Sequence, residues 1–303
     1  MTGDGARPRN DARRDPATSG LAEAWAEALA SWAIPDVILD AAPESPFGFP
    51  AELFVRRGER SIGDTAAAPT LTTVRALEAL GDGGSVLDVG VGGGATSLPL
   101  ARRCTSLIAV DGQRDMLDAI DRMADRLSLP ITTVQGRWPD VAPGTPLADV
   151  VVCGHVVYNV ADLRPFLVEL SAHAARRVVI ELTDRHPLSW MNDLWLDLHG
   201  VVRPDRPSAG DVEELCRVLG FDVQRDERVD TEDMAGSGFG RRGDAVGLVR
   251  RRLCLPPERD DEIATALGDR LSEHDGLWRA GPHEQSVVTL WWNPPTVGSS
   301  VGS

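Results

Sequence analysis

The sequence predicts an α/β fold built on a doubly wound, mostly parallel β-sheet, and two observations favour this class. From Ser85 onward, short apolar runs alternate with amphipathic helical stretches, as expected of successive βαβ units. The first run, Val86–Val89, passes directly into a glycine-rich turn, which is typical of a buried strand that leads to a ligand site. With 303 residues, of which 42% are hydrophobic, the chain is able to build a sizeable core.

The predicted strands of the central region alternate regularly with helices. The strands are Val86–Val89, Leu107–Asp111, Ile131–Gln135, Val150–Cys153 and Val178–Leu182. The helices between them are Ala95–Arg103, Arg114–Arg126 and Asp162–Ala174. Beyond Pro187 the pattern predicts an aromatic-rich helix around Trp190 and Trp195, a helix at Gly210–Leu219, an extended segment at Phe221–Val229, helices at Asp244–Cys254 and Arg259–Leu271, and a last strand at Ser286–Trp292.

These elements divide the chain into five regions. Residues 1–20 and 293–303 are predicted to be disordered tails. Residues 21–80 are expected to form an N-terminal helical cap, with helices at Leu21–Trp32, Val37–Ala41 and Thr70–Leu80 and an extended connection at Ala42–Pro50. Residues 81–184 form the sheet core, and residues 185–292 complete the sheet and add C-terminal helical insertions.

The charge balance narrows the choice of partners. Acidic residues outnumber basic ones by 46 to 31, which gives a formal net charge of −15. A field of this sign repels phosphate backbones and anionic membrane surfaces. We therefore expect neither nucleic acid nor a membrane as the main partner.

Cellular location and cysteine chemistry are predicted from what the sequence lacks. It has no apolar run long enough to span a bilayer, and its polar start lacks the apolar stretch of a secretory signal, so we expect a cytoplasmic protein. The four cysteines lie far apart, without a CxxC pair or a histidine at zinc spacing. We expect reduced, mostly buried thiols and no metal site.

The glycine-rich turn is the most informative segment. It contains Gly90, Gly92 and Gly94 directly after the strand residue Asp88. Glycines allow close approach of a ligand to the backbone, and the start of a following helix offers free N–H donors. A nucleotide-like ligand is therefore expected here. The spacing of the glycines and Ala95 also matches the fingerprint of dinucleotide-binding folds, so the turn alone does not identify the ligand.

Two carboxylates refine the prediction. Asp111 ends the second predicted strand, where a carboxylate is able to accept hydrogen bonds from both hydroxyls of an adenosine ribose. Asp88 would oppose a pyrophosphate but would suit the ammonium group of a methionine moiety, directly or through water. The D-x-G-x-G-x-G turn, with Val110, Asp111 and Gly112 after it, resembles motifs I and II of class I S-adenosylmethionine-dependent methyltransferases. The resemblance covers residues 85–183.

This resemblance implies a Rossmann-like, seven-stranded sheet with an N-terminal helical cap and an antiparallel last strand, here Ser286–Trp292. It also implies S-adenosyl-L-methionine as the cofactor. The adenine turn after the third strand would comprise Gly136, Arg137 and Trp138. Many members of the family place an acidic residue in this turn to contact the adenine. In this chain, Gln135 or a backbone amide would have to make that contact.

Two further side chains are candidates for adenine contacts, each with an alternative as a core residue. Met116, at the start of the helix after Gly112, would cover the adenine or pack in the core. Trp138 would stack on the adenine edge or serve as hydrophobic filling. Gly154 belongs to the segment after the fourth strand, which lines the ligand pocket in this family.

Methyl transfer depends mainly on orientation, because the sulfonium of the cofactor is already a strong electrophile. A hydroxyl or amine acceptor also needs a base. His155, just beyond the fourth strand, is the first candidate, with a structural histidine as the alternative. Tyr158 would orient the acceptor or pack beneath the cap.

Aromatic residues of the cap and of the segment after the fifth strand favour a partly apolar small-molecule acceptor. They are Trp25, Trp32, Phe47, Phe49, Phe54, Trp190 and Trp195. Core packing is the alternative explanation for many of them. Two other functions remain open at this point, namely an NAD(P)-dependent oxidoreductase and a catalytically silent module that binds S-adenosylmethionine for regulation.

Overall fold

The computed structural model describes residues 16–48, 50–63, 69–231 and 238–295. Its helices are α1 (Pro16–Ala30), α2 (Asp36–Asp40), α3 (Ala51–Gly63), α4 (Leu71–Leu80), α5 (Arg114–Arg126), α6 (Leu163–His173), α7 (Asn192–His199), α8 (Ala209–Val218), α9 (Arg242–Arg252) and α10 (Asp260–Leu267). Its strands are β1 (Gly84–Val89), β2 (Cys104–Asp111), β3 (Ile131–Gln135), β4 (Ala148–Gly154), β5 (Ala174–Thr183), β6 (Gln224–Thr231), β7 (Leu271–His274), β8 (Leu277–Ala280) and β9 (Glu284–Trp292).

Seven of the strands form one sheet in the order β3-β2-β1-β4-β5-β9-β6. The pairs from β3 to β5 are parallel, whereas β9 runs antiparallel to both β5 and β6. The predicted fold class, including the antiparallel last strand, is confirmed.

Helices cover both faces of the sheet, which explains why β1 and β4 are apolar on both sides. On one face, α4 and α5 enclose a core that contains Leu80, Val86 and Ile120. On the other face, α1, α6 and α8 pack against strand residues that include Leu87 and Val89. A third apolar cluster joins α7, α9 and α10 beyond the edge of the sheet. The four cysteines are unpaired and buried.

Four sequence predictions differ from the structure. Residues 95–103 form turns and a short 3₁₀ segment at Leu98–Leu100, not an α-helix, because Pro99 has no N–H to donate to the preceding turn. Helix α1 begins at Pro16, within the predicted tail 1–20. Helix α3 and the β7–β8 hairpin were not predicted, and α10 ends at Leu267 before Gly268, at φ +52°, so the predicted helix 259–271 was too long.

Other predicted segments lie partly or wholly outside the described residues, namely 1–15, Phe49 and 296–303. Within the described part of the chain, no helix combines the length and the apolar character needed to cross a membrane.

Helix α3 lies directly on the glycine turn. A Cβ atom added to Gly58 would lie 1.8 Å from the carbonyl oxygen of Gly93, and one added to Gly93 would lie 1.9 Å from the carbonyl oxygen of Phe54. Two glycines therefore allow the helix backbone and the turn backbone to touch. This contact ties the cap to the site described below.

We expect Gly58→Ala to lower the free energy of unfolding by about 1–3 kcal/mol, because the added methyl group overpacks the contact. The matched control is Gly243→Ala, since a Cβ at this helical glycine of α9 meets nothing within 4 Å. Alanine raises helix propensity, so the control should be neutral or stabilised by up to about 1 kcal/mol. Urea unfolding of both variants measures the difference. Equal stabilisation of the two would contradict the close contact.

Candidate active site

A cleft of about 1930 Å³ opens where the parallel strands end, between the sheet and the N-terminal cap. Most of the residues predicted to form the site line it. They are Gly90, Gly92, Asp111, Gly112, Met116, Gly136, Arg137, Trp138, Gly154, His155 and Tyr158. Asp88 and Gly94, which we also predicted as cofactor-binding, do not line the cleft.

The glycine turn folds over the end of β2. The amides of Gly90 and Val91 donate to the carbonyl oxygen of Val110 at 2.8 and 3.0 Å, and the amide of Gly92 donates to Oδ2 of Asp111 at 3.0 Å. Gly90 adopts φ +74°, and a Cβ there would lie 2.3 Å from Val156. The turn is thus fixed by its neighbour strand and leaves its backbone facing the cleft.

Gly94, which we predicted as a cofactor contact, lies against the core below the turn. It adopts φ +80°, and a Cβ there would lie 2.3 Å from the side chain of Ile120 and 2.8 Å from that of Leu98. Both neighbours belong to the core on the α5 face. The third glycine of the turn is therefore needed for packing between the turn and the sheet.

Asp111 is held at the cleft edge by two backbone amides. Oδ2 accepts from Gly92, and Oδ1 accepts from Gln113 at 2.9 Å. Each carboxylate oxygen has a second acceptor position, so both remain able to bind hydroxyl groups of a ligand.

Asp88 lies below the turn, not beside the ligand space. It is 1% exposed, and neither of its carboxylate oxygens has a hydrogen-bond partner among the described residues. In β1 it shares a face with Val86, because alternate strand residues point to the same side, and that face is covered by α4 and α5. Burial raises the pKa of Asp88 to about 7, with the charge of Asp111 acting in the same direction and the Ser97 hydroxyl opposing it.

This raised pKa predicts a specific dependence of stability on pH. In the unfolded chain Asp88 ionises near pH 4, whereas in the folded protein it stays protonated until about pH 7. The raised pKa therefore makes its full contribution to the free energy of unfolding below pH 4. As pH rises from 4 to 7 this contribution is lost, and the free energy of unfolding falls by about 4 kcal/mol. Because Asp88→Asn cannot ionise, the variant should gain stability relative to the parent protein over this range. Denaturation curves at pH 4 to 8 measure the gap, and parallel pH profiles would contradict the assignment.

One end of the cleft is lined by the residues predicted for adenine. Met116 and Trp138 are buried with an edge toward the cleft, whereas Arg137 is exposed. The indole Nε1 of Trp138 donates to the carbonyl oxygen of Phe166 at 3.3 Å. The ring also packs edge-on against His173, so Trp138 serves the core as well as the cleft wall.

His155 lines the cleft and is held in an unusual backbone conformation. It adopts φ +59°, and its amide donates to the carbonyl oxygen of Glu181 at 2.7 Å. Its ring Nε2 lies 3.0 Å from Oε1 of Glu181 and 3.1 Å from a guanidinium nitrogen of Arg57. The side chain is 29% exposed. The histidine therefore has a buried carboxylate behind it and the cleft in front.

Glu181 is the centre of a buried polar cluster that we did not predict. Its Oε2 accepts from the hydroxyl of Thr72 at 2.5 Å and from Arg228 at 2.9 Å. Burial raises the pKa of Glu181, but hydrogen bonding to His155 and the charges of His155, Arg228 and Arg57 outweigh it, so the pKa lies well below its usual range. A polar residue at the carboxyl end of the apolar run of β5 was the available signal.

Tyr158 lines the cleft with its ring, while its hydroxyl is bonded to the backbone. Its hydroxyl donates to the carbonyl oxygen of Thr183 at 2.8 Å, and its ring stacks on Trp25 and meets His186 edge-on. Burial raises the pKa of Tyr158 above its usual range. This placement favours packing beneath the cap over orientation of an acceptor.

Part of the cleft wall is aromatic. Trp32 stacks on His186 with ring centroids 3.8 Å apart, and Arg203 lies over the rings of Trp32 and Trp195. Burial and the charges of Arg203 and Arg252 lower the pKa of His186 to about 4, so this ring is neutral at physiological pH. Among the other predicted aromatics, Phe47 and Phe54 line the cleft, whereas Trp25 and Trp190 do not.

Comparison with known families agrees with this geometry. Residues 86–176 match the model of a methyltransferase domain. An uncharacterized protein of Haemophilus influenzae is 34% identical over 104 residues, which are 34% of this chain and 38% of that protein. A ubiquinone biosynthesis O-methyltransferase of Rickettsia prowazekii is 31% identical over 88 residues, 29% of this chain and 34% of the relative. The chain thus spans about a third of the length of the curated relatives it matches.

Solved structures give weaker likenesses. A methyltransferase of Bacillus halodurans described as putative covers 74% of this chain and 99% of its own, with 14% identity and a TM-score of 0.48. A coclaurine N-methyltransferase bound to N-methylheliamine and S-adenosylhomocysteine covers 95% of this chain and 90% of its own, with 14% identity and a TM-score of 0.46. These likenesses are too weak to bear on what this chain acts on. The comparisons support neither the oxidoreductase nor the silent-module alternative.

Proposed function

We propose that this chain, whose residues 86–176 match the model of a methyltransferase domain, is an S-adenosylmethionine-dependent methyltransferase that acts on a small-molecule acceptor. The observation that supports this best is the continuity of the cleft. It runs from the glycine turn and Asp111 to the His155–Glu181 pair without leaving the carboxyl ends of the strands. A cofactor at the turn and an acceptor at the histidine would therefore share one space.

The residues present fit this cofactor. Asp111 offers acceptor positions to the ribose hydroxyls, and the backbone of Gly90, Gly92 and Gly154 lines the route toward His155. Gly112, Met116 and the turn Gly136–Trp138 supply the walls for the adenine. When bound, S-adenosylmethionine supplies an activated methyl group. Asp88 would act on the ligand only through the turn above it, since it is sealed from the cleft.

The remaining chemistry falls to orientation and to one base. If Nε2–H of His155 donates to Glu181, the lone pair of Nδ1 is free to take a proton from an acceptor hydroxyl or amine. Glu181 then stabilises the imidazolium that forms, because its own pKa is low enough to keep it charged. The aromatic walls exclude water and hold an apolar acceptor body.

We expect Asp111→Ala to weaken binding of S-adenosylmethionine by about 1–3 kcal/mol, since ribose hydroxyls and the Gly92 amide lose their acceptor. The control is Asp118→Ala, because Asp118 pairs with Arg114 on the exposed side of α5. Calorimetric titration of both variants measures the effect. An affinity unchanged by Asp111→Ala would remove this carboxylate from the site.

The proposed function is tested by measuring which nucleotide cofactors stabilise the protein. S-adenosylmethionine and S-adenosylhomocysteine should raise the melting temperature, since ligand at 100 times its dissociation constant adds about 2.7 kcal/mol. NAD and NADP should leave it unchanged, because residues 86–176 match a methyltransferase domain. Stabilisation by the nicotinamide nucleotides alone would contradict the proposal.

A further inference from the structure

Arg57 reaches the candidate base from the cap. It lies on α3, its side chain is 40% exposed, and its guanidinium lies 3.1 Å from Nε2 of His155. The next residue is Gly58, whose contact with Gly93 seats the helix on the glycine turn. The position of Arg57 is therefore set by the same contact that joins the cap to the cofactor turn.

Arg57 and Glu181 compete for one nitrogen atom. Nε2 of His155 has either one hydrogen or one lone pair in the plane of the ring. The guanidinium is always a donor and the ionised carboxylate is always an acceptor, yet both lie within 3.1 Å of that nitrogen. Only one of the two hydrogen bonds is able to form at a time.

The two arrangements differ in catalytic competence. When Arg57 donates to Nε2, the neutral ring must carry its hydrogen on Nδ1, and no lone pair remains for an acceptor proton. When Nε2–H donates to Glu181, the Nδ1 lone pair is free. With Arg57 as the donor to Nε2, His155 is therefore unable to act as a base.

Glu181 does not require Arg57. It keeps its hydrogen bonds to Thr72 and Arg228, while Arg57 approaches it only to 3.9 Å. Other arginines of α3 have separate partners, since Arg56 donates to the carbonyl oxygen of Gly238 and Arg60 pairs with Asp275. Among the described residues, the polar contacts of Arg57 fall on the His155–Glu181 pair. Its charge is therefore available to an anion in the cleft.

The charge of the cleft lining also favours an anionic ligand. The chain as a whole has a formal net charge of −15, yet seven arginines and five carboxylate residues line the cleft within the described part of the chain. This excess of arginines over carboxylates favours anionic small molecules in the cleft. The stacked Trp32 and His186 rings on its acceptor side suit an aromatic body.

We propose that the acceptor is a small aromatic acid with a nucleophilic hydroxyl, and that its carboxylate draws Arg57 away from His155 and so releases the base. This rests on the proposed methyltransferase function. The hydroxyl proton then passes to Nδ1 of His155 while the acceptor oxygen forms the new C–O bond to the methyl carbon. The electron pair of the broken C–S bond stays on sulfur, which leaves a neutral thioether. Arg57 acts as a positioning and specificity-determining residue.

The first test measures the tautomer of His155 and needs no acceptor. Nitrogen-15 NMR of histidine-labelled protein distinguishes a protonated Nε2 from an unprotonated one, with His155→Gln used to assign the resonance. The parent protein and the control Arg56→Met should show an unprotonated Nε2, whereas Arg57→Met should show Nε2–H. A protonated Nε2 in the parent protein, or no change in Arg57→Met, would overturn the competition between Arg57 and Glu181.

The second test addresses the acceptor class with a pair of probes. In the protein loaded with S-adenosylhomocysteine, 4-hydroxybenzoate should bind about tenfold or more tighter than 4-hydroxybenzamide, which is about 1.4 kcal/mol or more. The preference should persist in Arg56→Met and disappear in Arg57→Met. Equal binding of the two probes, or no binding of the acid, would overturn the proposed acceptor class. Failure of S-adenosylhomocysteine itself to bind would instead count against the proposed function.

Discussion

The hydrogen bonds between the glycine turn and the end of β2 are the constraint from which the site develops. Val110 accepts two amide hydrogens of the turn through its carbonyl oxygen, and Asp111 accepts a third through its carboxylate. These bonds form the turn without a following α-helix, because the chain continues into the short segment Leu98–Leu100. The ligand surface is therefore made of backbone atoms fixed by an adjacent strand, and the predicted helix N-terminus plays no part in it.

The same turn sets the position of the cap. Gly93 accepts the close approach of α3, and α3 brings Arg57 to His155 on the far side of the cleft. The glycine turn and His155 are thus linked through α3, by backbone contacts at Gly58 and Gly93 and by the side chain of Arg57. Movement of the turn would move the cap helix and, with it, the cation nearest to the candidate base.

Local patterns in the sequence were sufficient to predict the sheet but not to predict the polar site. The strands β1 to β5 and the place of Asp111 follow from alternation and from a carboxylate at a strand end. The site of Asp88 was not predictable from the turn motif alone, because strand alternation decides which face it occupies and that face is covered by helices. The turn motif likewise gave no indication that Gly94 lies against the side chains of Ile120 and Leu98.

Glu181, Arg228 and Arg57 come from β5, β6 and α3, and only tertiary packing brings them together. Sequence spacing gives no signal for such a cluster, since Arg228 lies 47 residues after Glu181 and Arg57 lies on a helix that precedes the whole sheet. His155 was identified from its position after β4, but its orientation depends on a carboxylate that lies 26 residues further along the chain.

The most direct test of the account is a crystal structure of the protein with S-adenosylhomocysteine. The account predicts the ribose hydroxyls at the carboxylate of Asp111, the adenine between Met116 and the turn at Gly136, and the thioether sulfur between Gly90 and His155. A complex with the ligand elsewhere, or with the glycine turn closed against α3 so that no ligand enters, would contradict it.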